Sequence, residues 1–101
     1  MKKKICIITS NRSEYGLIKN LIKIIGKSKK FSCHLSVTGT HLSNLHGETI
    51  KEIIADRVKV NSKIKILEKG DTEDDIAKTF SNGVLKFSRL FKKIKPELIL
   101  V

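Results

Sequence analysis

The chain has no tryptophan, one tyrosine, one proline and two cysteines, and its 10 acidic residues face 21 basic ones. Each scarcity excludes something. Cys6 and Cys33 both fall in apolar, strand-like stretches, with no second pair to build a disulfide framework or a zinc centre. They read as small core residues of a protein in a reducing cytoplasm. Aromatic residues at 5% leave no series of rings on which bases would stack. No apolar run approaches the ~18–20 residues that a membrane span needs. The lysines at positions 2, 3 and 4 resemble the basic start of a signal peptide, but the apolar run behind them ends at Ile8 and is too short. There is no repeat and no Pro/Gly-rich linker, so 101 residues make one small domain.

What is abundant is lysine and isoleucine, and the formal charge is +11. That balance fits a polyanion-binding module, and it fits equally a Lys/Ile-biased composition with solvated lysines. The order of the hydrophobic patterns says more. Residues 4–9 form a short apolar, β-branched run, as in a strand buried on both faces. From Glu14 to position 29 the stripe Leu17, Ile18, Leu21, Ile22, Ile24, Ile25 is helical, and Asn11 with Glu14 suggests a capping box. Residues 31–37 alternate as a strand, 47–55 carry a short helix, and 63–67 alternate as a third strand near a sheet edge. A long helix follows, with Thr72 as cap, Glu73, Asp74 and Asp75 in its first turn, and Ile76, Phe80, Val84, Phe87, Phe91 and Ile94 along one face. Pro96 closes it, and residues 98–101 are a fully apolar strand. The succession βαβαβαβ calls for right-handed crossovers and an α/β, doubly wound parallel sheet with strand order 3-2-1-4.

In such sheets ligands bind outside the carboxyl ends of the strands. Residues 9–16 leave the first strand and open the first helix, where free N–H groups, the positive dipole end and the Arg12 fork suit a phosphate. Neither the G-x-G-x-x-G nor the P-loop glycine pattern is present, so Arg12 reads either as a phosphate ligand or as an incidental arginine in a solvated loop. His41, after the second strand, either hydrogen-bonds a sugar hydroxyl or phosphate, or moves a proton, or else caps the next helix or lies in water. His41 and His46 lack companions for a metal site, and His34, in mid-strand, is structural. Glu14 and the acids at 71–75 have capping and dipole roles available, so no acid–base pair is complete.

The residues Thr9-Ser10-Asn11-Arg12-Ser13-Glu14-Tyr15-Gly16-Leu17 resemble the N-terminus of the hydrolysing UDP-N-acetylglucosamine 2-epimerases. Val37-Thr38-Gly39-Thr40-His41-Leu42, with Gly47 and Thr49 beyond, is similar to that family's second block, and Lys95-Pro96-Glu97-Leu98-Ile99-Leu100-Val101 to a third. The resemblance runs in register along the whole chain. It implies the first part of the N-terminal Rossmann-like domain of a two-domain, glycosyltransferase-B-type enzyme. That enzyme would convert UDP-GlcNAc, or a related UDP-2-acetamido sugar, to the free 2-epimer plus UDP by elimination and hydration. It implies UDP-sugar contacts at Arg12, Gly16 and His41, no metal or organic cofactor, no nucleic-acid partner, and a cytoplasmic homo-oligomer when complete. The family's catalytic carboxylates would lie beyond Val101, so residues 1–101 alone are expected to be inactive and prone to associate. A basic nucleic-acid module and a non-catalytic sugar-nucleotide-binding remnant are the competing readings.

Overall fold

A computed structural model describes residues 2–43, 49–67 and 70–101. Strand β1 (Lys3–Thr9) leads into helix α1 (Arg12–Lys27), then β2 (Phe31–Thr38), a single 3-10 turn (Gly39–Leu42), α2 (Ile50–Ala55), β3 (Ser62–Ile64), α3 (Glu73–Ile94) and β4 (Leu98–Leu100). All pairings are parallel, in the order β3-β2-β1-β4. The expected strand order is therefore the observed one. The ladders are unequal: β1 and β2 pair over seven positions from Lys3↔Phe31 to Thr9↔Val37, whereas β3 and β4 each add three.

Several boundaries differ from expectation for local reasons. Helix α1 begins at Arg12 because the side chain of Asn11 caps it by accepting from the Glu14 N–H, and it ends at Lys27 with Ser28 as cap. The third strand is shorter than its alternation suggested: residues 65–67 leave the ladder because only β2 lies beside them, and that strand ends at Thr38. The first part of the expected 47–55 helix lies outside the described residues, and the described helix starts at Ile50. Thr72 and Asp75 close a reciprocal capping box on α3. At the other end Lys95 turns into the left-handed region (φ 48), donating its N–H to the Phe91 carbonyl, and Pro96 prevents any continuation.

The two sheet faces are unlike. Residues alternate across a strand, so Ile5 and Ile7 share a face with Leu35 and Val37. There they pack with Tyr15, Ile22 and Ile25 of α1 and Ile50 and Ile53 of α2. The opposite face, beneath the crossover of α3, carries Cys6, His34, Ser36 and Ser62. His34 Nε2 lies 3.1 Å from Ser62 Oγ, and Ser62 Oγ also bonds Ser36 Oγ. Cys6 is fully buried, as expected of a core residue, while Cys33 is half-buried against the apolar cluster of the other face, and burial pushes both thiols up. Burial, with Lys4 and Lys93 nearby, holds His34 below the ordinary imidazole range.

Serine and histidine interrupt the apolar residues of the face beneath α3, which by register also include Ile8, Ile64 and Ile99. The α3 stripe is on one face as the periodicity required, yet Ile76, Phe80 and Val84 are exposed and only Ile94 is buried. A second such stripe runs along α1 at Leu17, Leu21 and Ile24, on the flank turned from the sheet. These observations separate core from stripe. Ile53→Ala, at a fully buried position, is expected to cost ~2–5 kcal/mol, and Phe80→Ala, 73% exposed, within about 0.5 kcal/mol. Urea unfolding followed by circular dichroism checks the contrast, and equal losses would place Phe80 in the core.

Candidate functional site

The site is built where the carboxyl ends of β1 and β2 release their loops. Asn11 caps α1 in extended geometry (φ −149), its Oδ1 accepting the Glu14 N–H at 2.9 Å. The reciprocal half of the expected box is displaced by one residue: Glu14 Oε1 accepts from the N–H and the hydroxyl of Ser10, each at 2.8 Å. The backbone of Ser10 and Asn11 is thereby held rigid, and the Arg12 and Ser13 N–H groups at the start of α1 have no intrahelical acceptor.

The loop after β2 docks on that backbone. Gly39 sits at φ +61, and a Cβ there would lie 2.8 Å from the Ser10 carbonyl oxygen, so the close approach and the left-handed turn both demand glycine. The same carbonyl accepts the Thr40 hydroxyl at 3.0 Å and the His41 N–H at 3.3 Å. His41 then passes beneath the loop rather than into solvent. Its ring is fully buried, with Nε2 3.0 Å from Thr9 Oγ1 and Nδ1 2.7 Å from Thr49 Oγ1. A neutral imidazole donates from one nitrogen and accepts at the other, so two threonine hydroxyls satisfy it completely. The Tyr15 ring meets it edge-on at 6.3 Å between centroids, and Tyr15 Oη donates to Asp56 at 2.7 Å. Burial first, then Asp56, pushes the Tyr15 phenol far above its ordinary range, so it stays protonated.

Arg12 lies at the rim, 73% exposed, with Nε 3.1 Å from Glu52 Oε1 of α2. The ion pair spans the mouth between α1 and α2. One turn further along α1, on the same side, Gly16 is exposed, and a Cβ there would meet nothing within 4 Å. Thus Arg12 and Gly16 share an open rim, and His41 forms the floor. His46, weighed above only as a metal ligand, lies outside the described residues. Among the described residues no group of His, Cys, Asp or Glu is placed to hold a metal ion, and no helix is long and apolar enough to cross a membrane. Sequence reasoning missed Glu52 as the partner of Arg12. Its signal was slight, an acidic residue in the first turn of a six-residue helix.

No family model matches the chain. It is 36% identical over 100 residues to a GDP/UDP-N,N'-diacetylbacillosamine 2-epimerase (hydrolyzing) of Campylobacter jejuni, covering 99% of this chain and 26% of that protein. It is 30% identical over 101 residues to a UDP-N,N'-diacetylbacillosamine 2-epimerase (hydrolyzing) of Legionella pneumophila, covering 100% of this chain and 27% of the relative. The chain is thus similar, along its whole length, to hydrolysing UDP-sugar 2-epimerases. It spans about a quarter of the length of these curated relatives. A crystal structure of a UDP-N-acetylglucosamine 2-epimerase superposes on the whole chain with a TM-score of 0.82 at 24% identity, covering 26% of that structure, which fixes the Rossmann-like fold.

The buried ring of His41 makes the chain's stability pH-dependent. Burial, outweighing the nearby Glu14 and Glu52 carboxylates, lowers His41 below its ordinary 6.5. A depressed folded value means that the unfolded chain binds the proton more readily, so stability is full above pH 6.5 and falls below it. His34 acts in the same direction. Unfolding midpoints between about pH 8 and pH 5 should fall with acid, less steeply in His41→Gln than in the parent. An unchanged slope would show that His41 carries no proton linkage.

Proposed function

We propose that this chain supplies the nucleotide-phosphate side of the active site of a hydrolysing UDP-2-acetamido-sugar 2-epimerase. The observation that carries the reading is the rim at the carboxyl edge. There Arg12 opens α1, its exposed side chain at the helix start whose first N–H groups have no intrahelical acceptor, one turn from the bare surface at Gly16. A pyrophosphate seated there meets the positive end of the helix and a guanidinium fork, both suited to its charge and shape. Glu52 holds the fork in place without ligand, and phosphate oxygens take over from it on binding. His41 serves the pocket as its floor, through Thr9 and Thr49. Glu14 and Glu52 are committed to Ser10 and Arg12, so we assign these residues to binding and not to moving the C2 proton of the sugar.

In this reading residues 1–101 are the first portion of a Rossmann-like N-terminal domain, within a two-domain glycosyltransferase-B-type enzyme. That enzyme releases UDP and the free 2-epimer, and works in the cytoplasm as a homo-oligomer. Two relatives at 30% identity or more are named for N,N'-diacetylbacillosamine, which favours a UDP-2,4-diacetamido sugar over UDP-GlcNAc.

Isothermal titration with UDP tests the assignment. Arg12→Ala should weaken binding by ~1.5–3 kcal/mol, as for a hydrogen bond to a charged group, and an unchanged affinity would remove Arg12 from the site. Glu52→Gln should tighten it by about 0–1 kcal/mol, the worth of an exposed ion pair. Gly16→Ala is the sharper probe: alanine should stabilise the helix by ~0.5–1 kcal/mol while obstructing the nucleotide. A gain in melting temperature with UDP affinity retained would refute the role given to Gly16.

A further inference from the structure

At the opposite end of α1, roughly 20 Å from Arg12 by helix rise, lies a cavity of about 410 Å³ between α1, the start of β2 and residues 57–61. Its floor is apolar, from Ile22, Phe31 and Val58. Around it stand Lys2, Lys23, Lys27, Arg57 and Lys59, and no lining residue is acidic. A neighbouring cavity shares Lys2 and Phe31 and adds Lys3, Lys29 and Lys30. Eight of the chain's 21 basic residues thus surround two adjoining hollows without a carboxylate among their lining residues.

Helix electrostatics account for part of this. Lys23 and Lys27 lie in the last turns of α1, where the dipole favours cations. They do not account for Lys2, Arg57 and Lys59, which arrive from two other points of the chain and converge on the same hollow. Arg57 does so from the left-handed region (φ 61), a backbone position where a side chain is unusual and glycine or asparagine the ordinary occupant. Concentrating like charge is unfavourable unless an anion compensates it.

We propose that this cavity is a second anion site, distinct from the UDP-sugar rim, and that it takes a small organic phosphate. The phosphate lies among Lys23, Lys27, Arg57 and Lys59, and the body of the molecule covers Ile22, Phe31 and Val58. The enclosed volume suits a small molecule. A polyanionic strand would call for a long basic track with rings for stacking, and Phe31 is the only aromatic residue lining either hollow.

The test is an amide NMR titration of the 15N-labelled protein with hexyl phosphate, with inorganic phosphate and UDP in separate arms. Hexyl phosphate should shift Gly26, Cys33 and Val58 saturably, inorganic phosphate should shift the same amides more weakly, and UDP should act at residues 10–16. The variant K23Q/K27Q/K59Q should lose affinity for hexyl phosphate at least about tenfold, the scale of losing one to two charged contacts. The variant K92Q/K93Q/K95Q removes the same charge elsewhere and should stay close to the parent. Equal losses in the two variants would reduce the effect to net charge and overturn the site. So would the absence of saturable shifts, or binding of duplex DNA at this face without hexyl phosphate. Competition by phosphatidylglycerol vesicles through the same amides would identify a lipid headgroup as the source of the phosphate; its absence alongside saturable hexyl phosphate binding would identify a free ligand. Failure here would leave the UDP arm, and the epimerase reading, standing.

Discussion

The carbonyl oxygen of Ser10 is the point on which the carboxyl edge of this sheet is organised. It receives the Thr40 hydroxyl and the His41 N–H, and it faces Gly39 at a distance that no side chain at that position would permit. Ser10 is itself held from the other side by Glu14. One peptide unit therefore ties the end of β1, the cap of α1 and the loop after β2 into a single body. With the ends of both strands immobilised, Arg12 projects from a rigid base, and a binding group is most useful when its own backbone need not be ordered by the ligand.

His41 extends that tie to a third segment. By bonding Thr9 and Thr49 it joins the end of β1 to the start of α2, although α1 and β2 lie between them in sequence. The same α2 brings Glu52 to Arg12, and Asp56, its cap residue, to Tyr15. A buried polar network of this kind is stable only when each member is satisfied, and no buried side-chain polar atom among the described residues lacks a partner. The buried polar residues of this edge thus act as a framework, and Arg12 stands exposed at its rim with the binding role proposed above.

Much of this was legible in the sequence. Strand and helix order, the parallel topology, the Thr72 cap and the stop at Pro96 all follow from period, capping chemistry and crossover handedness, which are local or near-local signals. The importance of residues 9–16 and 37–43 was legible too, as blocks. What could not be read was pairing at long range. Glu52 lies forty positions from Arg12, and nothing in the spacing announces that α2 brings the two together. The burial of His41 was equally hidden, because a histidine in a polar loop looks the same whether it faces solvent or two threonines. The exposed stripe of α3 was missed for a related reason: periodicity reports that a helix has an apolar face, and the partner surface, here interrupted by serine and histidine, decides how much of it is covered.

The inequality of the ladders has a dynamic consequence. The seven paired positions of β1 and β2 lie in the interior of the sheet, with the apolar cluster against one side, whereas β3 is held to β2 by three positions. Local opening is easiest where few hydrogen bonds and little burial must be given up together. The sheet is therefore graded from a central pair that opens only with the whole fold to β3, which opens before it. The Ser10 junction springs from the central pair, so the carboxyl edge stays in register while β3 fluctuates.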